Sequence, residues 1–354
     1  MPDTTTAPNP TGWFIISAAA ALVVAIGIGA GVGGVTGLLA VGEDFPIRSY
    51  VEADFPGIHL ADGVGHDGQQ YYGIARDPWG QDGVPDLVDN PSYRYLFILF
   101  PLLAGGFGTF SPEVTVAAML ALSVLGFGLA GASALRLNHH YEGRVTIAHI
   151  AVANVGLLLA VRFLIPDALA LGLAMLGVVL AVEGKDRAAA VALALAVLTK
   201  APYALFPLAL GIWVWPTDRR RALWLTVVPA IPIALWASYI FIRFGPSTSG
   251  NLAAPFVGIV QGAAKWDQIE SGEVTMAVMA VALLAVGAVL VFLTENRLLR
   301  ILVGVWVVLG AISSELIWVF GNNALRVLSP LWTLTALSAA VYFSSSRSRK
   351  NLPV

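Results

Sequence analysis

The sequence predicts an all-α polytopic membrane protein with about ten transmembrane helices and one long polar loop near its beginning. Of the 354 residues, 57% are hydrophobic and only 12% are charged, whereas soluble domains carry about 25% charged residues. Apolar runs of roughly 20 residues recur along the chain, and a helix of that length crosses the hydrocarbon core of a bilayer. Lys and Arg concentrate in short stretches between those runs, as they do in the cytoplasmic loops of membrane proteins.

Composition also excludes several classes of protein. The chain has no cysteine, so neither a disulfide framework nor a cysteine-ligated metal site can form. None of its five histidines has the spacing of a zinc protease. The sequence contains no basic patch or nucleic-acid-binding motif, and we therefore expect no nucleic acid among its partners.

The beginning of the chain is predicted to form a tail, a helix and a loop. Residues 1–12 are polar and lack Lys and Arg, which predicts a short disordered tail. Residues 13–39 are apolar and form the first predicted transmembrane helix. Residues 42–92 hold ten acids against Arg48 and Arg76. Gly and Pro interrupt this segment, which indicates a loop with a few short helices, and its aromatic residues argue against disorder.

The rest of the chain alternates apolar spans with short polar loops. Residues 93–107 are apolar but short for a crossing. Residues 188–216 contain a Thr-Lys-Ala-Pro break, and because proline disfavours helical geometry in the preceding residue, we predict two short helices with Lys200 at the turn. All spans belong to one transmembrane domain, residues 13–343, which is followed by a cytoplasmic tail at 344–354. The other predicted spans are 112–135, 145–162, 167–182, 222–243, 274–294, 300–320 and 324–343.

The distribution of basic residues fixes the predicted number of crossings. Five stretches hold 12 of the 20 Lys and Arg, and placing all five in the cytoplasm requires an even number of crossings between them. The result is ten helices in the cytoplasmic (inner) membrane, with both termini in the cytoplasm. Residues 42–111 then lie outside, where residues 93–107 form an interfacial or re-entrant helix. The five stretches are 136–144, 183–187, 218–221, 295–300 and the tail.

Of the basic residues that fall on the outer side in this arrangement, four stand out against the charge rule. A bound anion, such as a lipid-linked phosphate, would explain their position. Pairing with the acids of the long loop is the alternative explanation. These residues are Arg94, Arg162, Lys200 and Arg326.

Two segments of the chain resemble a known family. The stretch HDGQQYYGIARDP at residues 66–78, followed by NPSYRYLFILFPLLA at residues 90–104, is similar to the patterns YDGQFYYRIALDP and AYRYQRILYPLLA. Those patterns belong to a bacterial group within the GT-C superfamily of integral-membrane glycosyltransferases. The segments LAVLTKAP and RFLIPDALALGLAML agree with it, so that the resemblance covers about the first 210 residues. Leu96, Phe97 and Gly73 depart from the pattern of the group.

The resemblance implies a GT-C-like fold and a transfer reaction. A sugar would move from a polyprenyl-phosphate donor to a glycan or glycolipid acceptor of the cell envelope, at the outer membrane face and with inversion. Asp67 would be the general base that activates the acceptor hydroxyl, with an Asp-Gly turn as its structural alternative. Glu52 and Asp54 form a second acidic candidate, whose oxygens would suit a divalent cation such as Mg²⁺ or Mn²⁺. Their spacing could also be chance in an acid-rich loop.

Further residues are expected to bind substrate. Arg94, Lys200 and Arg326 are the candidates for the phosphate, because fixed positive charge stabilises a leaving phosphate. For Arg326 the alternative is an ion pair with Glu315. Asp167 is a further candidate, although an acid at a helix start also complements the helix dipole. Tyr71 and Tyr72 could stack on a sugar or equally anchor the loop at the membrane interface. His66 could orient Asp67 or the acceptor, with a solvated or hydrogen-bonded histidine as the alternative. The remaining candidates lie in the two resembling segments: His66, Gln69, Gln70, Tyr71, Tyr72 and Tyr95.

Two other functions stay open at the level of sequence. One is a non-catalytic GT-C-like partner or scaffold in envelope assembly. The other is a transporter or flippase of lipid-linked sugars, which would be built from two halves that repeat broken helices. No such repeat is evident in the sequence. Membrane lipids are expected partners in each case.

Overall fold

The computed structural model describes residues 9–247 and 250–350, with side chains up to residue 345. Within these residues the chain is helical, with three isolated bridges and no strand. The helices in chain order are α1 (Pro10–Gly31), α2 (Arg48–Asp54), α3 (Gly68–Arg76), α4 (Pro91–Arg94), α5 (Leu99–Ala104), α6 (Pro112–His140), α7 (Val145–Val152), α8 (Val155–Arg162), α9 (Asp167–Val182), α10 (Asp186–Thr199), α11 (Leu205–Val214), α12 (Arg219–Phe244), α13 (Val257–Ala263), α14 (Ser271–Leu293), α15 (Arg297–Ile312), α16 (Glu315–Trp318), α17 (Gly321–Val327) and α18 (Ser329–Lys350).

Several of these helices have the length and composition of membrane spans. Five helical stretches of the described chain are long and apolar enough to cross a membrane, with α7 and α8 counted together, and the bent pair α17–α18 adds a sixth if it is one span. The chain is therefore compatible with an integral membrane protein. Four of the ten predicted spans are shorter helices of 10 to 16 residues, so the number of crossings stays a prediction; they are α9, α10, α11 and α15.

Both ends of the described chain are more helical than predicted. α1 begins at Pro10, inside the predicted tail, because the side chain of Asn9 caps the first turn with a hydrogen bond of 3.1 Å and proline suits the first helical position. α18 continues through the predicted start of the second tail to Lys350. The rest of the two predicted tails, residues 1–8 and 351–354, lies outside the described residues.

The long loop folds into the short helices α2 to α5 and contributes to the main hydrophobic core. α5 has six residues and is about 9 Å long, too short to cross a bilayer. Side chains tie the loop to the end of α12. Ser92 Oγ donates to the carbonyl of Phe244 at 3.1 Å, and Trp236 Nε1 donates to the carbonyl of Tyr95 at 2.8 Å.

α3 begins where the loop touches the turn between α8 and α9. A Cβ atom at Gly68 would lie 2.2 Å from the carbonyl oxygen of Phe163, so only glycine allows this close approach of two backbones. The preceding residue, Asp67, is thereby fixed beside that turn.

Three helical segments are interrupted, and two of the interruptions carry basic residues. Lys200 has an extended backbone between α10 and α11, and Arg326 lies near the end of α17, which meets α18 at 58°. Asn154 separates α7 from α8 and donates through Nδ2 to the carbonyl of Ser329 at 2.7 Å. Backbone groups freed at such breaks need partners of this kind in an apolar surrounding.

Candidate active site

Asp67 bridges two buried arginines. Its Oδ1 lies 3.0 Å from Arg94 Nη2, and its Oδ2 lies 3.0 Å from Arg326 Nη2. The carboxyl side chain is 24% exposed, whereas that of Arg326 is 7% exposed. The Asp-Gly pair begins a helix, and the carboxylate does not cap it. Oδ2 therefore accepts a charge-assisted hydrogen bond from Arg326, and Oδ1 forms an ion pair with Arg94.

Arg94 is held in place from its other side by Asp89. Its Nε and Nη2 donate to the two carboxylate oxygens of Asp89 at 2.8 and 2.6 Å, and this bidentate pairing fixes the plane of the guanidinium group. Gln70 in turn donates to the Asp89 carboxylate at 3.3 Å and accepts its backbone N–H at 3.2 Å. Gln70, predicted to bind substrate, thus acts on the site through Asp89 and Arg94.

Lys200 and Asp167 form a buried ion pair in the same region. Asp167 is the first residue of α9, where its charge also complements the helix dipole. The hydroxyl of Tyr203 donates a hydrogen bond to the backbone carbonyl of Asp167 at 3.2 Å. Lys200 lines the same cavity as Arg94 and Arg326, so this cavity has three positively charged side chains.

His66 is oriented by stacking and by its neighbour in sequence. Its ring lies parallel to that of Phe163, with centroids 3.6 Å apart, and its Nδ1 accepts the backbone N–H of Asp67 at 2.9 Å. Burial, reinforced by Arg326, lowers the pKa of His66 to about 3. The imidazole is therefore neutral near neutral pH, with its proton on Nε2.

A cavity of about 570 Å³ opens beside the arginines, and we call it the amphipathic cavity. Arg326 Nε is buried and has no hydrogen-bond partner among the described residues. The charged and phenolic lining consists of Asp67, Tyr71, Tyr93, Arg94, Lys200 and Arg326. The apolar lining includes Leu96, Phe97, Leu205, Leu208, Leu252, Leu309, Ile317 and Val327.

A second cavity of about 500 Å³ also reaches Asp67, and we call it the polar cavity. Asp67 thus contributes to the lining of both cavities. The side chains of the polar cavity are mainly acids and amides: Asp62, His66, Asp67, Gln268, Glu270, Glu273, Asn322 and Asn323, with Phe320, Val64 and Ile269 as the apolar members.

The charges around Asp67 determine its protonation. Burial by itself would raise the pKa of the carboxyl, but the guanidinium groups of Arg94 and Arg326 outweigh that effect and hold its pKa well below its usual value. Asp67 is therefore ionised, and it is a weak base for as long as both arginines contact it.

The acidic pair Glu52 and Asp54 lies away from both cavities. Glu52 pairs with Arg48 at 3.1 Å, one helical turn away, and Asp54 accepts the hydroxyl of Tyr72 at 2.5 Å. Among the described residues, no group of three or more His, Asp or Glu is arranged to hold a metal ion. These contacts explain Glu52, Asp54 and Tyr72 as residues that stabilise the loop.

Gln69 and Tyr95, which were also predicted to bind substrate, form hydrogen bonds with backbone groups of the loop instead. Gln69 is fully buried, accepts the N–H of Gly42 at 3.1 Å and donates to the carbonyl of Val64 at 2.8 Å. Tyr95 donates to the carbonyl of Asp77 at 3.0 Å. Neither lines a cavity. Both hold the loop that carries Asp67.

The pairing of Arg326 differs from the alternative considered for it. Glu315 pairs with Lys265 instead, while Arg326 contacts Asp67. Asp89 and Tyr93, beside the two arginines, were missing from the sequence prediction, and so were the residues of the polar cavity other than His66 and Asp67. Asp89 lies five residues before Arg94 and is one of ten acids in the loop, so its partner could not be read from spacing alone.

Comparisons with known proteins add no assignment. Neither a scan against protein-family models nor searches of the curated proteins and of the solved structures returned a match. Fold and site together define a helical protein, compatible with a membrane, in which one carboxylate contributes to the lining of two cavities. One cavity has cationic and apolar side chains, and the other has mainly acidic and amide side chains. Membership of the GT-C superfamily stays a prediction.

Proposed function

We propose that this chain is a glycosyltransferase that moves a sugar from a polyprenyl-phosphate donor to a glycan or glycolipid of the cell envelope. The observation that carries the proposal is the position of Asp67 in the lining of two cavities of different character. A reaction between a lipid-borne donor and a hydroxyl-bearing acceptor needs such a pair of adjoining sites with a proton acceptor between them.

The amphipathic cavity suits the donor. Three cationic groups, Arg94, Lys200 and Arg326, would bind the phosphate, and the apolar lining would take the first prenyl units. Leu208 also lines a neighbouring groove of about 500 Å³ between α11 and α12, which is apolar apart from Thr226 and Arg297. An isoprenoid chain could therefore continue along α11.

The chemistry assigned to Asp67 is that of a general base. An acceptor hydroxyl attacks the anomeric carbon, its proton passes to a carboxylate oxygen of Asp67, and the bond between that carbon and the phosphate oxygen breaks with inversion. The phosphate leaves with the electron pair and is stabilised by the cations. A bound phosphate would also draw Arg94 and Arg326 away from Asp67, which strengthens the base when the donor is present.

The proposed arrangement in the membrane follows the distribution of basic residues. Ten crossings would place the long loop and both cavities at the outer face of the cytoplasmic membrane and both termini inside. Donor and acceptor would then meet on the side where envelope glycans are assembled.

The test is Asp67→Asn in proteoliposomes that contain synthetic polyprenyl-phosphate hexoses and pentoses and an envelope glycolipid fraction. Release of free polyprenyl phosphate should fall by about 10²- to 10⁴-fold, because the base is lost while the shape is kept. Asp86→Asn changes an exposed acid of the same loop that lines neither cavity and should retain full activity. Undiminished release by the Asp67 variant would contradict the role of Asp67.

The broken helices support a second candidate, a transporter of lipid-linked sugars, because transporters bind substrates at such interruptions. That function predicts movement of an intact donor between leaflets, without release of polyprenyl phosphate. Following both products in the same proteoliposomes separates the two candidates. A non-catalytic partner would give neither product.

A further inference from the structure

The charged side chains that line the polar cavity are all acidic. Four carboxylates line it, and none of its lining residues is Lys or Arg. The amphipathic cavity on the other side of Asp67 holds three cations. The two cavities therefore select for ligands of different charge.

The hydrogen-bonding groups of the polar cavity are mostly acceptors. Ionised carboxylates accept hydrogen bonds and cannot donate them, and the side-chain amides of this cavity add carbonyl oxygens as acceptors. Asn322 Oδ1 is buried without a partner among the described residues, while its backbone N–H donates to Glu273 at 2.9 Å. The Nδ1 atom of the neutral His66 already accepts a hydrogen bond from the backbone N–H of Asp67. Its Nε2–H remains as one hydrogen-bond donor. A ligand rich in hydroxyl donors matches this set.

The acids are not arranged as a metal site. Within the described residues, no three His, Asp or Glu side chains come together for a cation. Phe320, which is 44% exposed, adds an aromatic surface to the lining that can cover an apolar face of a ligand. Acceptors around an aromatic ring suit a pyranose or furanose, whose hydroxyls lie at the rim and whose C–H bonds form a face.

We propose that the polar cavity binds an uncharged sugar unit of the acceptor and excludes sugars that carry a carboxylate or phosphate. The assignment of this sugar unit to the acceptor rests on the proposed glycosyltransferase function, whereas the selection by charge rests on the lining of the cavity alone. A carboxylate or phosphate on the ligand would face Asp62, Glu270 and Glu273. Arg94 and Arg326 are paired with Asp67 and line the other cavity.

The experiment measures binding of matched sugars to the protein in nanodiscs by saturation-transfer NMR. The probes are methyl hexosides and methyl pentosides, together with the methyl hexuronides that replace the C6 hydroxymethyl group by a carboxylate. For the wild type, at least one neutral glycoside should bind, and its uronide should bind about tenfold or more weakly. Equal binding of a glycoside and its uronide, or no binding of any neutral glycoside, would overturn the proposal.

Charge reversal at the rim provides the decisive variant. Asp62 and Glu270 line the cavity and are exposed, so Asp62→Lys with Glu270→Lys should leave the fold intact and shift the preference toward uronides by about tenfold. Asp86→Lys is the matched control, because Asp86 is an exposed acid that lines neither cavity, and its preference should equal that of the wild type. An unchanged preference in the double variant would show that the lining does not select by charge.

The outcomes distinguish this inference from the proposed function. Binding requires neither donor nor turnover, so it can be measured whether or not the chain transfers a sugar. Sugar binding with the expected charge preference, but without release of polyprenyl phosphate under any condition, would refute the transferase and leave a sugar-binding site. Transfer to acceptors that carry a uronate at the reacting unit would refute the charge selection and leave the transferase.

Discussion

A carboxylate that contacts two guanidinium groups neutralises the charge on which an anion would depend. Asp67 holds Arg94 and Arg326 at 3.0 Å each, so a phosphate must compete with it. The same contacts weaken Asp67 as a base. In the proposed transfer reaction, binding of the donor phosphate to the arginines and activation of Asp67 as the base would therefore be two effects of one exchange of partners.

This exchange predicts that Asp67→Asn increases affinity for polyprenyl phosphate while it abolishes transfer. An amide cannot neutralise the arginines, and we expect about tenfold tighter binding at neutral pH. The measurement is displacement of a fluorescent polyprenyl phosphate from the protein in nanodiscs. Weaker binding by the variant would show that Asp67 supports the phosphate instead of competing with it.

Arg326→Gln should have the opposite effect. Arg326 is buried, lines the amphipathic cavity and has a free Nε, so its loss should weaken polyprenyl phosphate binding by about tenfold or more. Arg48→Gln removes an exposed arginine whose partner is Glu52 and serves as the control. Unchanged affinity in the Arg326 variant would assign Arg326 to the structural pairing with Asp67 alone.

The pH dependence of kcat/KM should lack an acid limb between about pH 5 and 8. This parameter reports groups of the free enzyme. The pKa of Asp67 is held well below its usual value, and that of His66 lies at about 3, so neither group gains a proton in that interval. Activity should fall only well below the ordinary pKa of an aspartate carboxyl, where Asp67 becomes protonated. A limb with a midpoint near 6.5 would indicate a titrating histidine with an ordinary pKa.

Among the helices, α3 depends most directly on a single residue. Gly68→Ala would place a Cβ atom 2.2 Å from the carbonyl of Phe163, and the required displacement should cost about 1–3 kcal/mol of stability and reduce transfer. Thermal unfolding in detergent and the transfer assay measure the two effects. Gly272→Ala, at a helical position where an added Cβ atom would meet nothing within 4 Å beyond its own stretch of helix, should lower neither stability nor transfer. Wild-type stability of the Gly68 variant would show that the contact yields easily.

Individual helices could be predicted from sequence far better than their junctions. Hydrophobic length located the long apolar helices, and the proline two residues after Lys200 located a break. The kink between α17 and α18 has a similar signal, because Pro330 follows Ser329 at the start of α18, but the predicted span 324–343 runs through it. The packing at this kink includes the contact from Asn154 to Ser329. The same holds for the site, where individual residues could be predicted from the sequence but their contacts could not. Asp67, Arg94 and Arg326 could be proposed separately, but their mutual contacts, and the separation of Glu52 from them, depend on how the loop folds back.

For the whole molecule, the prediction is a topology. The chain has no cysteine, so single cysteines can be labelled without background. Asp86→Cys in the long loop should react with a membrane-impermeant maleimide in intact cells, whereas Arg220→Cys should react only after permeabilisation. Both positions are exposed. Labelling of both from the same side would contradict the ten-crossing arrangement.

One feature of α12 bears on how a bilayer-resident substrate would reach the site. This helix contains two prolines and buries few side chains, it forms one wall of the groove that begins at Leu208, and its end accepts the hydrogen bond from Ser92 of the long loop. A donor with a long isoprenoid tail would enter sideways from the lipid, past this helix. Any movement of α12 that admits the tail would also pull on the loop that carries Asp67, so admission of the donor and assembly of the reaction centre would be mechanically linked.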